Sequence, residues 1–187
     1  MDKVFIFLTT GFEEIEALAT IDILRRGGVN IQSVSLTGEK TVTGGRQISV
    51  IADCLFEEVN FADAIMLILP GGPGTAKMNE HEGLKQMIRS FAGEGKLLAA
   101  ICAAPMIFGG LGLLQNKKAT CYPGYEKYLT GAHTSEAPVI VDGNITTGRA
   151  AGYTFDFALE LLSQLKGNEA ARKIKNYELR INLPVIH

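Results

Sequence analysis

Short, continuous apolar runs separated by amphipathic segments dominate the pattern of this sequence. Residues 4–8, 64–69 and 97–101 read VFIFL, AIMLIL and LLAAI, without alternation of polar and apolar side chains. Such runs are typical of strands buried on both faces of a parallel sheet. Residues 14–26 and 80–92, which lie between them, carry apolar side chains at helical spacing. This order predicts an α/β fold, a mostly parallel sheet covered by helices on both sides.

Weaker patterns complete the set of predicted elements. Residues 30–36 alternate well enough for a second strand, and residues 47–51 form a short strand-like piece. Asp142-Gly143 lies between two strand-like segments and is a hairpin signal. Further helices are predicted over 105–114, 154–165 and 169–177, followed by a mixed, extended tail over 179–187.

Length, charge and cysteine content exclude several classes of protein. The 187 residues fit one domain, spanning residues 1–187, and the net charge of −2 predicts no nucleic-acid and no membrane partner. The N-terminal apolar run is too short for a signal peptide, and no stretch approaches the roughly 20 apolar residues of a membrane span. Three cysteines without a CxxC pair argue against a disulfide scaffold and a metal site. We therefore expect a cytoplasmic protein with reduced thiols.

Cys102 is the candidate reactive atom. It directly follows the strand predicted over 97–101 and precedes Pro105, which suits the first turn of a helix. A thiol at such a turn lies near unpaired backbone N–H groups and the positive end of a helix dipole. Both favour the thiolate, so the sequence predicts a depressed pKa and a reactive cysteine.

Other strand ends bring further chemistry to the same edge, where ligands bind in parallel sheets. Gly71 and Gly72 follow a predicted strand, and their N–H groups could hold a small anion or a carbonyl oxygen; a simple tight turn also explains a glycine pair. Arg149 follows the last predicted strand. His133 is the histidine most able to approach this cleft, although no short motif places it beside Cys102.

An acidic cluster opens the first helix. Capping and compensation of the helix dipole explain Glu13 and Glu14, and Thr10 and Glu13 have capping-box spacing. Glu16 is different because it lies close to the strand end and is followed by apolar residues. If its carboxyl points inward, desolvation raises its pKa, and the protonated acid can donate a hydrogen bond to a thiolate.

Together these motifs resemble the ThiJ/PfpI superfamily over essentially the whole chain. The resemblance implies a flavodoxin-like, three-layer α/β sandwich of the class I glutamine amidotransferase-like type, and a homodimer. It implies that Cys102 is reactive at a strained turn, that Glu16 is its protonated partner, and that the Gly71 and Ala103 N–H groups form an anion pocket. The motifs are GFEEIE at 11–16, LPGG at 69–72, AAICAAP at 99–105, ATCYP at 119–123, and TGR at 147–149 followed by TFDFA at 154–158.

The resemblance also extends to three arginines, and the sequence departs from other members of the superfamily at two positions near the cysteine. Arg25, Arg26 and Arg46 fall on arginines near the dimer interface or the pocket, although a solvated helix end also explains the first two. Tyr122 stands where several members have a histidine; it can wall the pocket but is a poor base at neutral pH. Ala103 stands where the protease branch has its histidine, which disfavours a cysteine peptidase.

The expected function is that of a glyoxalase or deglycase without metal or organic cofactor. Cys102 would add to the aldehyde of a small α-oxoaldehyde such as methylglyoxal, and Glu16 would move the proton. The alternative is a redox sensor or stress-linked chaperone, whose small-molecule partner is an oxidant acting on the same thiol. A non-catalytic binding module on this fold predicts an unreactive Cys102 instead.

Overall fold

Strands and helices alternate along the chain, as the sequence predicts, in a computed structural model that describes residues 2–180. The strands are β1 (Lys3–Leu8), β2 (Ile31–Ser35), β3 (Thr41–Thr43), β4 (Ser49–Ile51), β5 (Cys54–Leu55), β6 (Ala64–Leu69), β7 (Leu97–Ile101), β8 (Lys118–Ala119), β9 (His133–Thr134), β10 (Val139–Asp142) and β11 (Ile145–Gly148). The helices are α1 (Glu14–Arg26), α2 (Thr75–Glu80), α3 (Glu82–Gly93), α4 (Pro105–Gly110), α5 (Thr154–Lys166) and α6 (Asn168–Lys173), the last continued by a π-helical segment, Ile174–Glu178.

Seven strands form one sheet in the order β10-β11-β7-β6-β1-β2-β5. Neighbouring strands in it are parallel except β10 and β11, which form the predicted hairpin. The mostly parallel sheet is therefore confirmed. Because β1, β6, β7 and β11 lie side by side and run in one direction, their carboxyl ends meet at one edge of the sheet.

The sheet has an apolar core on each face, which explains why its central strands show no alternation. In β1, Val4, Ile6 and Leu8 belong to one cluster, whereas Phe5 and Phe7 belong to the other, and all five side chains are fully buried. Helices α1 and α5 supply the first cluster, and α3 and α4 the second. Complete burial of each such side chain stabilises the fold by about 1.5–3 kcal/mol.

Three details of the predicted helices differ from the structure. The helix predicted over 80–92 is present as α3, which begins at Glu82 because His81 has an extended backbone and caps it by accepting a hydrogen bond at Nδ1 from Leu84 N (3.0 Å); the short helix α2 before it was not predicted. The helix predicted over 105–114 ends at Gly110. The cap of α1 is Glu13 rather than Thr10, since its Oε2 accepts from Glu16 N at 2.8 Å.

Two further expectations concern the ends of the chain and membranes. Most of the tail predicted over 179–187 lies outside the described residues. Among residues 2–180, no helix has both the length and the apolar character that crossing a bilayer requires.

Candidate active site

Cys102 occupies a strained turn between β7 and α4. Its φ is +65°, in the left-handed region that non-glycine residues enter at a cost on the order of 1–3 kcal/mol. Two backbone hydrogen bonds hold it there: Cys102 N donates to Gly148 O (2.9 Å), and Tyr122 N donates to Cys102 O (2.8 Å). The Cys102 backbone is therefore fixed by β11 on one side and by the segment after β8 on the other.

Glu16 lies on the inward face of the first turn of α1 and is fully buried. Its Oε2 accepts a hydrogen bond from Gly71 N at 2.8 Å. Within the described residues, Oε1 has no hydrogen-bond partner of normal geometry. A buried carboxyl with one unsatisfied oxygen is the environment in which the protonated form is favoured.

Gly71 shows how closely these groups pack. A Cβ at this position would lie 2.8 Å from Cys102 Cβ, 2.9 Å from Ala103 N and 3.0 Å from Glu16 Oε2. The absence of a side chain thus lets the strand end after β6 approach both the cysteine turn and the buried acid. This close approach is the structural reason for a glycine here.

Burial controls the protonation of the Glu16 carboxyl and the Cys102 thiol, which we treat as a pair. It raises the pKa of the Glu16 carboxyl to about 7, and the nearby charge of Glu13 adds to the rise. Burial also raises the pKa of the Cys102 thiol, and the Glu16 carboxylate raises it further; the backbone N–H groups of Ala103 and Gly72 oppose this. The predicted depressed thiol pKa is therefore wrong: α4 has only six residues, and its start does not outweigh desolvation.

The pair nevertheless holds one removable proton near neutral pH. A carboxylate with a thiol and a carboxylic acid with a thiolate contain the same number of protons, so the two forms are tautomers of one state. Attack by sulfur can proceed from either form, because the carboxylate can take the thiol proton as the bond to carbon forms.

The backbone N–H groups of Gly72 and Ala103 are the hydrogen-bond donors beside the Cys102 thiol. Neither N–H donates to a backbone carbonyl among residues 2–180, and both face the thiol. Gly72 has a φ of +104°, and a Cβ there would lie 2.5 Å from Glu13 N, so only glycine fits this turn. Gly71, which the resemblance placed in the anion pocket, donates to Glu16 instead. Of the three N–H groups predicted for the pocket, those of Gly72 and Ala103 therefore remain available to a ligand.

An open pocket of about 410 Å³ lies over the thiol. Carboxylate, guanidinium and aromatic groups surround it, together with the cysteine turn. Its lining residues are Glu13, Glu16, Arg46, Gly72, Pro73, Cys102, Ala103, Tyr122, Tyr125 and Ala151. The arrangement suits a small ligand that carries a carbonyl group to the sulfur and extends toward the aromatic side.

The profile of the DJ-1/PfpI family matches residues 2–164 of this chain. The chain belongs to the DJ-1/PfpI family. The solved structure of oxidised DJ-1 from Toxoplasma gondii superposes with a TM-score of 0.91 at 32% identity, covering 96% of this chain and 98% of that one. The α/β sandwich implied by the resemblance is thereby confirmed.

Curated relatives in the DJ-1/PfpI family carry several names. DJ-1 homolog B of Arabidopsis thaliana is 38% identical over 92% of this chain, which spans only 40% of that protein's length. A deglycase of Pyrococcus horikoshii is 30% identical, with 88% of this chain and 99% of the relative covered. A glutathione-independent glyoxalase of Caenorhabditis elegans is 27% identical, with 87% of each covered.

Two residues predicted for the pocket wall lie outside it. His133 is exposed on the short strand β9, where its N–H pairs with Lys117 O (2.8 Å). Arg149 lies beyond β11, with its Nη2 3.6 Å from Glu136 Oε1. Arg149 follows a strand in the sequence, but a strand end specifies an edge of the sheet and not the direction of a long side chain. For His133, no motif in the sequence fixed its position relative to Cys102.

The arginines named by the DJ-1/PfpI resemblance separate into two groups. Arg25 pairs with Asp53 (2.7 Å) and Arg26 with Asp22 (2.8 Å) on the surface, as expected of a solvated helix end. Arg46 lines the pocket, and its backbone N–H donates to Glu14 Oε1 (2.5 Å).

Sequence reasoning missed four lining residues, Glu13, Pro73, Tyr125 and Ala151, and two of them have polar side chains. Glu13 was explained by capping alone, and it both caps α1 and reaches the pocket. Tyr125 was not singled out; its spacing of three residues from Tyr122 in a turn was the available signal. Within residues 2–180, no group of three or more His, Cys, Asp or Glu side chains is arranged to hold a metal ion.

Proposed function

We propose that this protein is a cofactor-independent glyoxalase or deglycase that acts through Cys102 on small α-oxoaldehydes, such as methylglyoxal, or on their adducts. The observation that carries the proposal is the shared burial of the Cys102 thiol and the Glu16 carboxyl beneath an open pocket. Glu16 has a pKa of about 7, which suits a group that must both take and give a proton at neutral pH. The deglycase and glyoxalase names of relatives support the same class.

In the first step, the Cys102 sulfur forms a bond to the aldehyde carbon. The thiol proton passes to the Glu16 carboxylate, and the carbonyl electron pair moves to oxygen. The N–H groups of Gly72 and Ala103 are placed to hold the resulting oxyanion. Glu16 then returns the proton to that oxygen, giving a neutral hemithioacetal and a carboxylate.

In the second step, Glu16 removes the proton from the former aldehyde carbon and delivers it to the neighbouring carbon, while the hydroxyl proton on the first carbon passes to the oxygen of the second. The hemithioacetal thereby becomes a thioester of a 2-hydroxy acid. Water then adds to the acyl carbon, the carbon–sulfur bond breaks, and sulfur regains its proton. Overall, methylglyoxal and one water molecule give lactic acid, so no external oxidant or reductant is required.

Chemical modification of the thiol tests this proposal. We expect lactate to form from methylglyoxal without glutathione, and turnover to fall in proportion to alkylation of Cys102 by iodoacetamide. Peptide mass spectrometry would locate and count the modified cysteines. A Cys121→Ser variant is the control, because Cys121 is buried in the other core cluster and burial raises its pKa to about 11. Full turnover after complete alkylation of Cys102 would rule the mechanism out.

We further infer that two copies of this chain associate through α1 and the β3–β4 ribbon. Ile15 and Leu18 on α1, and Ile48 and Ile51 on the ribbon, are large apolar side chains exposed to solvent, Ile51 by 78%. Hydrogen bonds between Arg46 N and Glu14 and between Gly45 N and Phe12 O (2.8 Å) join the ribbon to the start of α1. The four side chains can therefore act as one apolar surface, which fits an interface.

Sedimentation velocity tests the homodimer. We expect Ile51→Glu to dissociate it, because the substitution places a charge within the apolar surface. Val141→Glu is the matched control, since Val141 is also exposed and lies on edge strand β10 at the opposite end of the sheet. Equal sedimentation of both variants and the wild type would contradict this interface.

A further inference from the structure

Tyr122, Tyr125 and Tyr128, in the segment after β8, form a continuous row of aromatic rings, which we call the aromatic ladder. The ring centroids of Tyr122 and Tyr125 are 6.2 Å apart with an interplanar angle of 81°, and those of Tyr125 and Tyr128 are 5.6 Å apart at 56°. Tyr122 and Tyr125 line the pocket over Cys102, whereas Tyr128 does not. Tyr122 is 47% exposed despite its place in the pocket, so much of its surface is open to a ligand.

Backbone hydrogen bonds fix the ladder relative to the nucleophile. Tyr122 N donates to Cys102 O at 2.8 Å, Tyr125 N to Tyr122 O at 3.0 Å, and Tyr128 N to Tyr125 O at 2.9 Å. Thr120 N donates to Thr147 Oγ1 (3.0 Å), which ties the start of the segment to β11. The aromatic wall is therefore held in place before a ligand arrives, and its first ring is one backbone hydrogen bond from the reacting residue.

The pocket is larger than the smallest α-oxoaldehyde requires. Methylglyoxal has five heavy atoms and occupies roughly 150 Å³, if each takes about the 30 Å³ of a water molecule. The pocket volume is about 410 Å³. Its polar donors surround Cys102, and the tyrosines supply the aromatic surface, so the remaining space suits a flat, apolar substituent.

We propose that Tyr122 and Tyr125 form an aromatic subsite that selects α-oxoaldehydes carrying an aromatic or other planar substituent. This inference rests on the proposed chemistry at Cys102. The aldehyde carbon faces sulfur, and the substituent packs against the Tyr122 ring in an edge-to-face or offset arrangement. Tyr122 acts as a specificity-determining residue that touches the non-reacting part of the substrate.

The ratio of kcat/KM for phenylglyoxal to that for methylglyoxal tests the subsite. An aromatic contact of this kind corresponds to about a tenfold preference. We expect Tyr122→Ala to lower kcat/KM for phenylglyoxal about tenfold, mainly through KM, and to lower kcat/KM for methylglyoxal by a clearly smaller factor. Tyr122→Phe should restore the phenylglyoxal value. Tyr128→Ala is the control, because it removes a ring of the same ladder that does not line the pocket.

Product binding separates this inference from the proposed reaction. Mandelate and lactate are the 2-hydroxy acids that phenylglyoxal and methylglyoxal would yield, and titration calorimetry measures their affinities without turnover. We expect mandelate to bind about tenfold more tightly, and Tyr122→Ala to remove that difference. An unchanged affinity ratio or kcat/KM ratio in Tyr122→Ala overturns the subsite, as does equal loss for both substrates. Turnover that persists in Cys102→Ser overturns the reaction alone, because the affinity ratio still reports on Tyr122.

Discussion

Cys102→Ser is expected to lower kcat/KM for methylglyoxal by a factor of about 10³ or more. Serine fits the turn, so the loss comes from chemistry. An alcohol is far less acidic than a thiol, and Glu16, with a pKa of about 7, is too weak a base to activate it. The backbone donors of Gly72 and Ala103 remain and leave a small residual rate. Lactate formation at saturating and limiting aldehyde separates kcat from KM.

Matched cysteine variants make this result specific. Cys54→Ser changes a half-buried thiol near Asp53, and Cys121→Ser changes a buried thiol, but neither residue lines the pocket. Both variants should keep the wild-type rate, and circular dichroism should show all three folded. A Cys102→Ser enzyme with the wild-type rate would show that another group attacks the aldehyde.

The fold could be predicted from the sequence because its strongest signals are local. The run from Val4 to Leu8 needs two apolar neighbours, one on each face, and a parallel sheet is the arrangement that provides both. The short helix α2, which precedes His81, could not be predicted in the same way. It has six residues, of which only Thr75 and Met78 are buried, so it shows no helical period of apolar residues. Periodicity shows which face is buried and does not show where hydrogen bonds stop.

The site was predictable where the backbone alone determines it. Cys102 at a strand-to-helix turn and glycines after β6 follow from element order. Both Gly71 and Gly72 were candidate donors, and only the structure shows that the N–H of Gly71 is occupied by Glu16 Oε2. Arg149 was predicted from a strand end and His133 as the histidine most able to approach the cleft, but neither residue lines the pocket. The directions of these groups depend on three-dimensional packing that residue order does not encode.

Two opposing effects act on the pKa of Cys102, and the sequence could not show which of them is larger. The turn and the donors lower the pKa of the thiol, and burial next to an acid raises it. Which effect is larger depends on how deeply the pair is buried, and Glu16 is fully buried while Cys102 is 8% exposed. The reactive species is therefore better described as the protonation state of a pair than as a free thiolate.

Glu16→Gln is expected to lower kcat for methylglyoxal by about 10²- to 10⁴-fold, the usual contribution of a positioned acid or base. The amide can keep the hydrogen bond from Gly71 N, but it cannot carry a proton. In the wild type, kcat/KM should rise with pH through an apparent pKa of about 7, as the pair loses its first proton. In the variant that limb should move to higher pH, because only the buried thiol remains to titrate.

Glu16→Gln, which lowers kcat, is expected to raise the stability of the protein relative to the wild type as pH rises. The Glu16 pKa is raised from 4.5 to about 7 in the folded state. The folded protein therefore binds more protons over that range, and the stabilisation present below pH 4.5 is lost as pH rises to 7. The loss amounts to about 3 kcal/mol. Urea unfolding at pH 5 and pH 7.5 should show Glu16→Gln gaining stability relative to the wild type as pH rises. A stability difference that does not change with pH would mean that the pKa of Glu16 is not raised in the folded protein. An unchanged kcat would show that Glu16 does not transfer the proton. Both results together would leave Cys102 without its proposed partner.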